Sequence, residues 1–523
     1  MSAGRLQGLA LGISALNLTS KVLAIGKTML IAAVFGAGAA LDAFWVAYTL
    51  PLLLPALLTT VITVAFVPRF MISLEGREGR DAWRGANTLF TVILGLSVAA
   101  ALAMWPAAPW LVATLAPGLA PETSAEAARL TRWMLPCVPL LTLGALLASV
   151  CNARERFTLP ALEGVLTNAA IIVAALALAP RYGVKALVLG VILGFIVHVM
   201  VLAWGNRDLL RGSLRPALAF NHPDFTGPIS HVLPLLVGSA GSIVAGLISQ
   251  YFLSLAGEGA IALMAYAAMF AFLPVEVFTH AVMNTHYPGL GRHFAAGEFT
   301  QAGERFMEGL RFLMALTLPA AVLLLLYAKP MVALLLERGA FSAGHTRQVA
   351  LLIAILSIAM VFRSVAYLAY RVLHAARMPW RQVAIGLVGV GTHLVLCAVL
   401  VQPLGVAGIA LATVISAMLI AVVATAFVQR LTRLAWRGRH GTEFARLLVM
   451  VLGMLVGGLL LLELVGLTGL SGTARHWASA GAAFATCGLG LGLAWLLRQP
   501  DLMAIVESLM ASFRRAFPRP SRR

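Results

Sequence analysis

Charge is what this sequence has least of: Asp, Glu, Lys and Arg make up 11% of its 523 residues, where a soluble globular chain carries about a quarter. With 61% hydrophobic residues there is too little polar side chain to cover a water-facing surface, so the solvent over most of its area must be lipid. A soluble enzyme and a disordered chain are both excluded. Cysteine is scarce as well: Cys137, Cys151, Cys397 and Cys487 lie far apart in apolar stretches. They form neither a disulfide framework nor a metal spacing. The 11 histidines are scattered, and His280 with His286 miss the i, i+4 spacing of a helical metal pair. There is no Walker A loop, no nucleophile elbow and no GxGxxG after a strand. No catalytic residue, metal or cofactor is therefore expected, and an ATP-driven pump in this chain is not supported.

What is present is long apolar runs. They fall at approximately 8–35, 41–70, 86–115, 128–151, 157–179, 185–204, 228–254, 259–288, 307–328, 347–369, 383–402, 405–429, 446–466 and 477–497. Runs of about 20 residues suit helices, because backbone groups in hydrocarbon must pair within their own segment. The expectation is an all-α polytopic membrane protein of fourteen transmembrane helices. The first run is too long for a cleavable signal and lacks a cleavage site.

Acidic residues are outnumbered, 20 against 38 basic, for a net charge of +18. With an even number of spans both termini share a side, and that side gathers most of the basic residues. They include Arg69, Arg77, Arg80 and Arg84, then Arg430, Arg433, Arg437 and Arg439, then Arg514, Arg515, Arg522 and Arg523. The positive-inside rule makes it cytoplasmic. The charge is then accounted for by topology and anionic lipid heads, and no nucleic-acid partner is expected.

The chain echoes itself at an offset of about 220 residues. Arg156-Phe-Thr-Leu-Pro160 and Arg377-Met-Pro379 each precede a helix, and Pro180-Arg-Tyr-Gly183-Val184 and Pro403-Leu-Gly405-Val406 each precede the next. Leu50-Pro51 and Val67-Pro68 correspond in spacing to Leu273-Pro274 and Tyr287-Pro288. Two six-helix lobes, 1–215 and 216–440, follow, with a helix pair at 441–500 and a basic tail at 501–523. Parallel repeats of this kind place a transported substrate between the lobes near mid-membrane.

Ionisable groups at membrane depth are costly and so mark function. Lys21 lies about 24 Å along the first helix from Arg5, and Lys27 about 9 Å further. Ser14, Asn17, Lys21 and Thr28 share one face, and Gly26 would permit a bend that turns Lys27 the same way. Lining of a wet cavity is the functional reading; snorkelling by Lys27 and pairing of Lys21 with a carboxylate is the alternative. Asp42 opens the second helix, where capping is the default role. Glu276, His280 and Asn284 fall along one face of the eighth run and could line a cavity or be satisfied by neighbouring helices. Arg363 sits deep in the tenth run, and Gln250 is a polar contact in the seventh.

The segment Ser20-Lys-Val-Leu-Ala24, Phe35-Gly-Ala-Gly38, Asp42-Ala-Phe44, Ala47, Leu50-Pro51 and Ala65-Phe-Val-Pro68 resembles the opening of the MurJ (MviN) lipid II flippases, of the multidrug/oligosaccharidyl-lipid/polysaccharide exporter superfamily. Ala116-Pro-Gly118, Asn152-Ala153, Arg156-Phe157, Pro160, Asn168 and Glu337-Arg-Gly-Ala-Phe341 extend the likeness over nearly the whole chain. The resemblance implies a bacterial inner-membrane transporter that moves an undecaprenyl-pyrophosphate-linked glycan from the cytoplasmic to the periplasmic leaflet. It implies pyrophosphate binding at Lys21 and Lys27, where the family carries arginines; a point charge there replaces a bidentate fork. It further implies that the last two helices supply a groove for the lipid tail. Three departures bear on the substrate: Pro55 and Ala56 stand where the family has an arginine pair, and Met269 replaces another arginine. A Wzx-like exopolysaccharide or O-antigen flippase, a cation-coupled multidrug exporter and a membrane scaffold for polysaccharide assembly are the alternatives. The partners implied are a lipid-linked glycan, membrane lipids, a coupling ion, and cell-wall or polysaccharide assembly proteins.

Overall fold

The computed structural model describes residues 3–62, 66–67, 70–71, 79–219, 229–433 and 439–499. Within its helices the side chains of 3–11, 60, 79–82, 212, 229–235, 237–239, 242, 277–289 and 439 are not among those described. Arg69, Arg77, Arg437, Pro68, the 501–523 tail, and the side chains of Arg80, Arg439, Pro288, His280, Asn284 and His286 thus lie outside the described residues.

Helix is the one regular structure among the described residues, and eleven helical segments there are long and apolar enough to cross a bilayer. The chain clusters into two compact units. The first comprises Met1–Ala262 with Arg338–Ser342. It holds α1 (Ala3–Phe35), α2 (Ala39–Val61), α3 (Gly79–Leu115), α4 (Pro121–Met134), α5 (Cys137–Ala153), α6 (Thr158–Ala161), α7 (Glu163–Tyr182), α8 (Lys185–Gly205), the short α9 (Arg207–Gly212) and α10 (Ile229–Leu255). Here α1 packs on α7, α2 on α4, α5 and α10, and α8 on α7 and α5. Leu58, Ile62, Phe66 and Phe70 fill the space against Leu89 and Ile93 of α3 and Leu146 and Val150 of α5.

Most of α11 (Ala260–Ala295) belongs to the second unit, with α12 (Phe299–Leu336), α13 (Ala343–Ala375), α14 (Pro379–Thr432), α15 (Arg439–Leu467) and α16 (Gly472–Leu496). Phe306, Leu310 and Leu313 of α12 pack against Leu368 and Val372 of α13 and Ala424 and Val428 of α14. On another side of α12, Val322 meets Leu447, Met450 and Met454 of α15 and Ala494 of α16.

Boundaries depart from the apolar runs where backbone chemistry intervenes. The run at 128–151 is two helices, broken at Leu135–Pro136, because proline cannot donate the amide that would carry α4 onward. The run at 157–179 starts with a single turn, α6, before α7. In the run at 41–70, α2 extends to Val61 and the described residues 62, 66–67 and 70 are also helical, while α3 is helical from Gly79, ahead of residue 86. α1 is assigned as one continuous helix from Ala3 to Phe35, through Gly26.

The runs at 383–402 and 405–429 form the 54-residue α14, which at 1.5 Å per residue would measure about 80 Å if straight. It is not straight. Gly405 has φ 55° and ψ −134°, and Gly408 lies against Leu400, so the chain reverses there. Gly183, between α7 and α8, has φ 56° and ψ −138°. A left-handed φ of this kind is open to glycine at little cost. The repeat noted in the sequence is thus a repeat of backbone conformation. It recurs at Glu155 and Arg377, with φ 59° and 57°, where Arg156 N–H donates to Cys151 O at 2.8 Å and Met378 N–H to Leu373 O at 2.9 Å.

Polar contacts fasten helices within each unit. In the first, Arg154 grips Asp208 through both Nη groups, at 3.0 and 2.6 Å, which holds the exposed Asp208 carboxyl down at about 2. A depressed carboxylate pKa means the contact stands at neutral pH and is lost only as pH falls toward that value. In the second unit, Arg311 of α12 forms an ion pair with Glu443 of α15, both side chains about 7% exposed. His440 Nδ1 lies 3.4 Å from the same guanidinium. At the other end of α12, the Tyr327 hydroxyl meets Thr486 Oγ1 at 2.7 Å and Gly458 O at 3.3 Å. The α15–α16 pair is therefore fastened to α12 at both ends.

Replacing Arg311 by Leu strands a buried carboxylate, at about 3–5 kcal/mol for a pair of this burial. The expected result is loss of monodisperse protein on size exclusion and a lowered Tm. The double change R311L/E443L should recover most of the loss, and no recovery would show that the ion pair is not what α15 depends on.

Candidate functional site

The cationic face of α1 is held in place by α7. Asn168 Nδ2 donates to Ser20 O at 3.3 Å, and Gly164 leaves only enough space for the Ser20 side chain. Lys21 follows directly and is half-buried, as is Lys27. Ser14 and Asn17, on the face that carries Lys21, are exposed, whereas Thr28 is buried and its hydroxyl donates to Ala24 O at 2.9 Å. The polar stripe is therefore open along its first half and closed at Thr28. With α1 continuous through Gly26, helical spacing puts Lys27 some 120° round the helix from Lys21.

Glu163, at the start of α7, is exposed and lies within electrostatic range of the Tyr48 hydroxyl of α2. It adjoins Gly164, which touches Ser20. Sequence reasoning missed this residue, although a carboxylate inside the apolar run at 157–179 carries the same signal as the lysines of α1.

At the far end of α1 the first unit draws five segments together. Asp42 is 1% exposed, and its carboxylate accepts N–H from Gly259 at 2.6 Å and from Ala262 at 2.8 Å. Its default role as a cap for α2 is corrected: the α2 N-cap is Gly38, and Asp42 instead caps the first turn of α11. Glu258 returns the arrangement, its Oε1 accepting the Ala39 N–H at 3.1 Å over the start of α2. Each carboxylate thus meets the positive end of the helix that the other precedes or opens. Around them Ala340 N–H donates to Ala33 O at 2.8 Å and Gly118 N–H to Ser254 Oγ at 3.1 Å. Gly36 sits against Ala340, Gly259 against Ala37 and Gly339 against Ala33, approaches that a Cβ would block.

In the second unit the Arg363 guanidinium lies over the Phe272 ring at 4.3 Å, with Glu276 as its charged neighbour. Two of the residues singled out in the sequence are thus brought together across α11 and α13; His280 and Asn284 share α11, with side chains outside the described residues. Met269 occupies α11 two helix positions before Ala271 and is half-buried. Gln250 of α10 is buried, and its Nε2 has no partner among the described residues. No group of three or more His, Cys, Asp or Glu stands together among the described residues as a metal site would require.

The arrangement of helices is that of the multidrug-exporter type of fold. A solved inward-facing structure of a multidrug resistance MATE family transporter of the MOP superfamily matches with TM-score 0.64 at 15% identity, covering 81% of this chain and 98% of that one. A structure of a lipid II flippase MurJ in an inward closed conformation matches with TM-score 0.78 at 17% identity, covering 94% and 99%.

The chain belongs to the lipid II flippase MurJ family, whose family model matches residues 31–478. It is similar to the lipid II flippase MurJ of Burkholderia cenocepacia, 29% identical over 67% of this chain and 70% of that protein. A probable lipid II flippase MurJ of Rhizobium tropici is 28% identical over 83% of each. The matched segment begins after Lys27, so both lysines of α1 precede it.

In the arrangement described here, a cysteine placed at Asn17 should react readily with a water-soluble thiol reagent, and one at Thr28 at least about tenfold more slowly, as buried thiols do. Equal rates would show that the stripe is open along its whole length.

Proposed function

We propose that this chain carries lipid II, an undecaprenyl-pyrophosphate-linked glycan, from the cytoplasmic to the periplasmic leaflet of the bacterial inner membrane by alternating access. The family match over residues 31–478 is the observation that carries the proposal. A sugar head with a pyrophosphate cannot cross hydrocarbon unaided, whereas a hydrated cationic path lowers that barrier while the lipid tail stays in the bilayer. No covalent bond changes, so the protein is a transporter and not an enzyme.

The reading takes fourteen crossings, because α14 reverses at Gly405 and α10 and α11 add spans to the eleven clearest segments. Both termini are cytoplasmic, on the side richest in Arg and Lys. Two six-helix lobes at 1–215 and 216–440 are supported by the repeated backbone turns, with the helix pair 441–500 and the basic tail following. Lys21 and Lys27 bind the pyrophosphate, with Asn17 and Thr28 beside them. Asp42, Glu276, His280, Asn284 and Arg363 line or control the path, and a coupling ion and cell-wall assembly proteins are its further partners. The half-burial of both lysines, and the position of Lys21 next to Ser20, whose carbonyl accepts from Asn168, support this assignment.

A second reading, a flippase for a Wzx-like exopolysaccharide or O-antigen repeat unit, is favoured by Pro55, Ala56 and Met269, where cations of the resembled family are missing. Proteoliposomes loaded with fluorescent lipid II, or with a lipid-linked polysaccharide unit in a parallel arm, separate the two. Lipid II should move, and Lys21→Ala should slow it at least about tenfold, as expected for losing one charged contact to phosphate. Lys21→Arg should retain transport. Full transport by a folded K21A protein would remove Lys21 from the path, and movement of the polysaccharide unit alone would overturn the choice of substrate.

A further inference from the structure

Along α3 the first unit carries an apolar groove that the transport reading does not use. Leu94, Gly95, Val98 and Leu102 of α3 form one wall, and Leu210 and Leu214 of the segment after α8 form the other, around a volume of about 600 Å³. The second wall is fastened. Asn87 Nδ2 donates to Ser213 O at 2.9 Å, and Thr91 Oγ1 and Thr88 Oγ1 accept the backbone N–H of Ala217 and Ala219, each at 3.1 Å. A groove with a wall clasped in this way is preformed and needs no ligand to open it. Arg215 lines it, and Arg211 follows the lining residue Leu210 in the chain; both are exposed, with no ion pair to a carboxylate among the described residues.

We infer that this groove holds one acyl chain of an anionic glycerophospholipid of the cytoplasmic leaflet, with its phosphate at Arg215 and Arg211. The inference rests on the proposed topology, which places those arginines at the cytoplasmic interface. Length and volume both select the occupant. From Phe90 to Leu102 the groove follows α3 for about 18 Å at 1.5 Å per residue, close to the half-thickness of a hydrocarbon core of about 30 Å. At about 30 Å³ for a group the size of a water molecule, 600 Å³ accommodates about twenty methylenes. One phospholipid chain fits a groove of that length. Charge selects the head: paired basic residues at the cytoplasmic surface favour anionic over zwitterionic lipid. Gly95 supplies the notch, since a side chain built there meets open space rather than protein.

The test is native mass spectrometry of the full chain, purified and delipidated, then titrated separately with phosphatidylglycerol, phosphatidylcholine and a polyprenyl pyrophosphate. One phosphatidylglycerol per chain should be retained, at least about fivefold more tightly than phosphatidylcholine, a gap within reach of one or two surface charges. Gly95→Phe should fill the notch and lower phosphatidylglycerol retention about fivefold or more. R211Q/R215Q, at two exposed positions, should erase the preference for phosphatidylglycerol and leave phosphatidylcholine unchanged. Unaltered phosphatidylglycerol retention in both variants would overturn the site. Loss of polyprenyl pyrophosphate rather than phosphatidylglycerol from Gly95→Phe would overturn the occupant. Transport is not measured, so failure of the flippase reading would leave these outcomes distinct.

Discussion

In hydrocarbon a peptide N–H has no water to turn to, and nearly every feature of this structure follows from where those groups find partners. Inside the spans they find them four residues back along the helix. The informative places are the interruptions. At Pro136 the missing amide ends one helix and starts another. At Gly183 and Gly405 a single left-handed residue reverses the chain with no loop to speak of. At the start of α11 the orphan amides of Gly259 and Ala262 are met by a carboxylate from a distant part of the sequence, Asp42.

Charge obeys the same economy. A buried ionised group persists where it is hydrogen-bonded, paired or hydrated. Asp42 is held by backbone amides, and Arg311 and Glu443 by each other; Arg363, which is exposed, rests against the Phe272 face with Glu276 nearby. Lys21 and Lys27 sit half-buried on a helix whose neighbouring Asn17 is exposed, the setting in which a cation can stay hydrated and meet an anionic head. Asp42 and the Arg311–Glu443 pair are enclosed by protein atoms and partnered there, whereas Lys21 and Lys27 are only half-buried.

Span positions were legible in the sequence because an apolar run of bilayer length has few other interpretations. The repeat was legible as Pro-x-x-Gly-Val and Pro-x-Gly-Val punctuation, and its meaning, matched dihedral angles at Gly183 and Gly405, emerged only with coordinates. Asp42 was visible as an acid opening the second helix, but its partners lie more than 200 residues away, and no local pattern encodes a cap supplied by another helix. Glu163 was overlooked although the cost argument applied to Lys21 covers it equally. The groove beside Gly95 could not be read at all, because its second wall is an irregular segment placed by Asn87, Thr88 and Thr91.

Where Gly36, Gly118, Gly259 and Gly339 meet their neighbours, main chain touches main chain with no side chain interposed. Two surfaces of that kind have nothing to unthread. Parting them breaks a few hydrogen bonds, but no rotamer must change and no interlocked methyl groups must slide past one another. Such a contact tolerates no added carbon: a methyl group at any of the four positions would meet a carbonyl oxygen of the facing segment, so the spacing of these segments is set by the main chain itself.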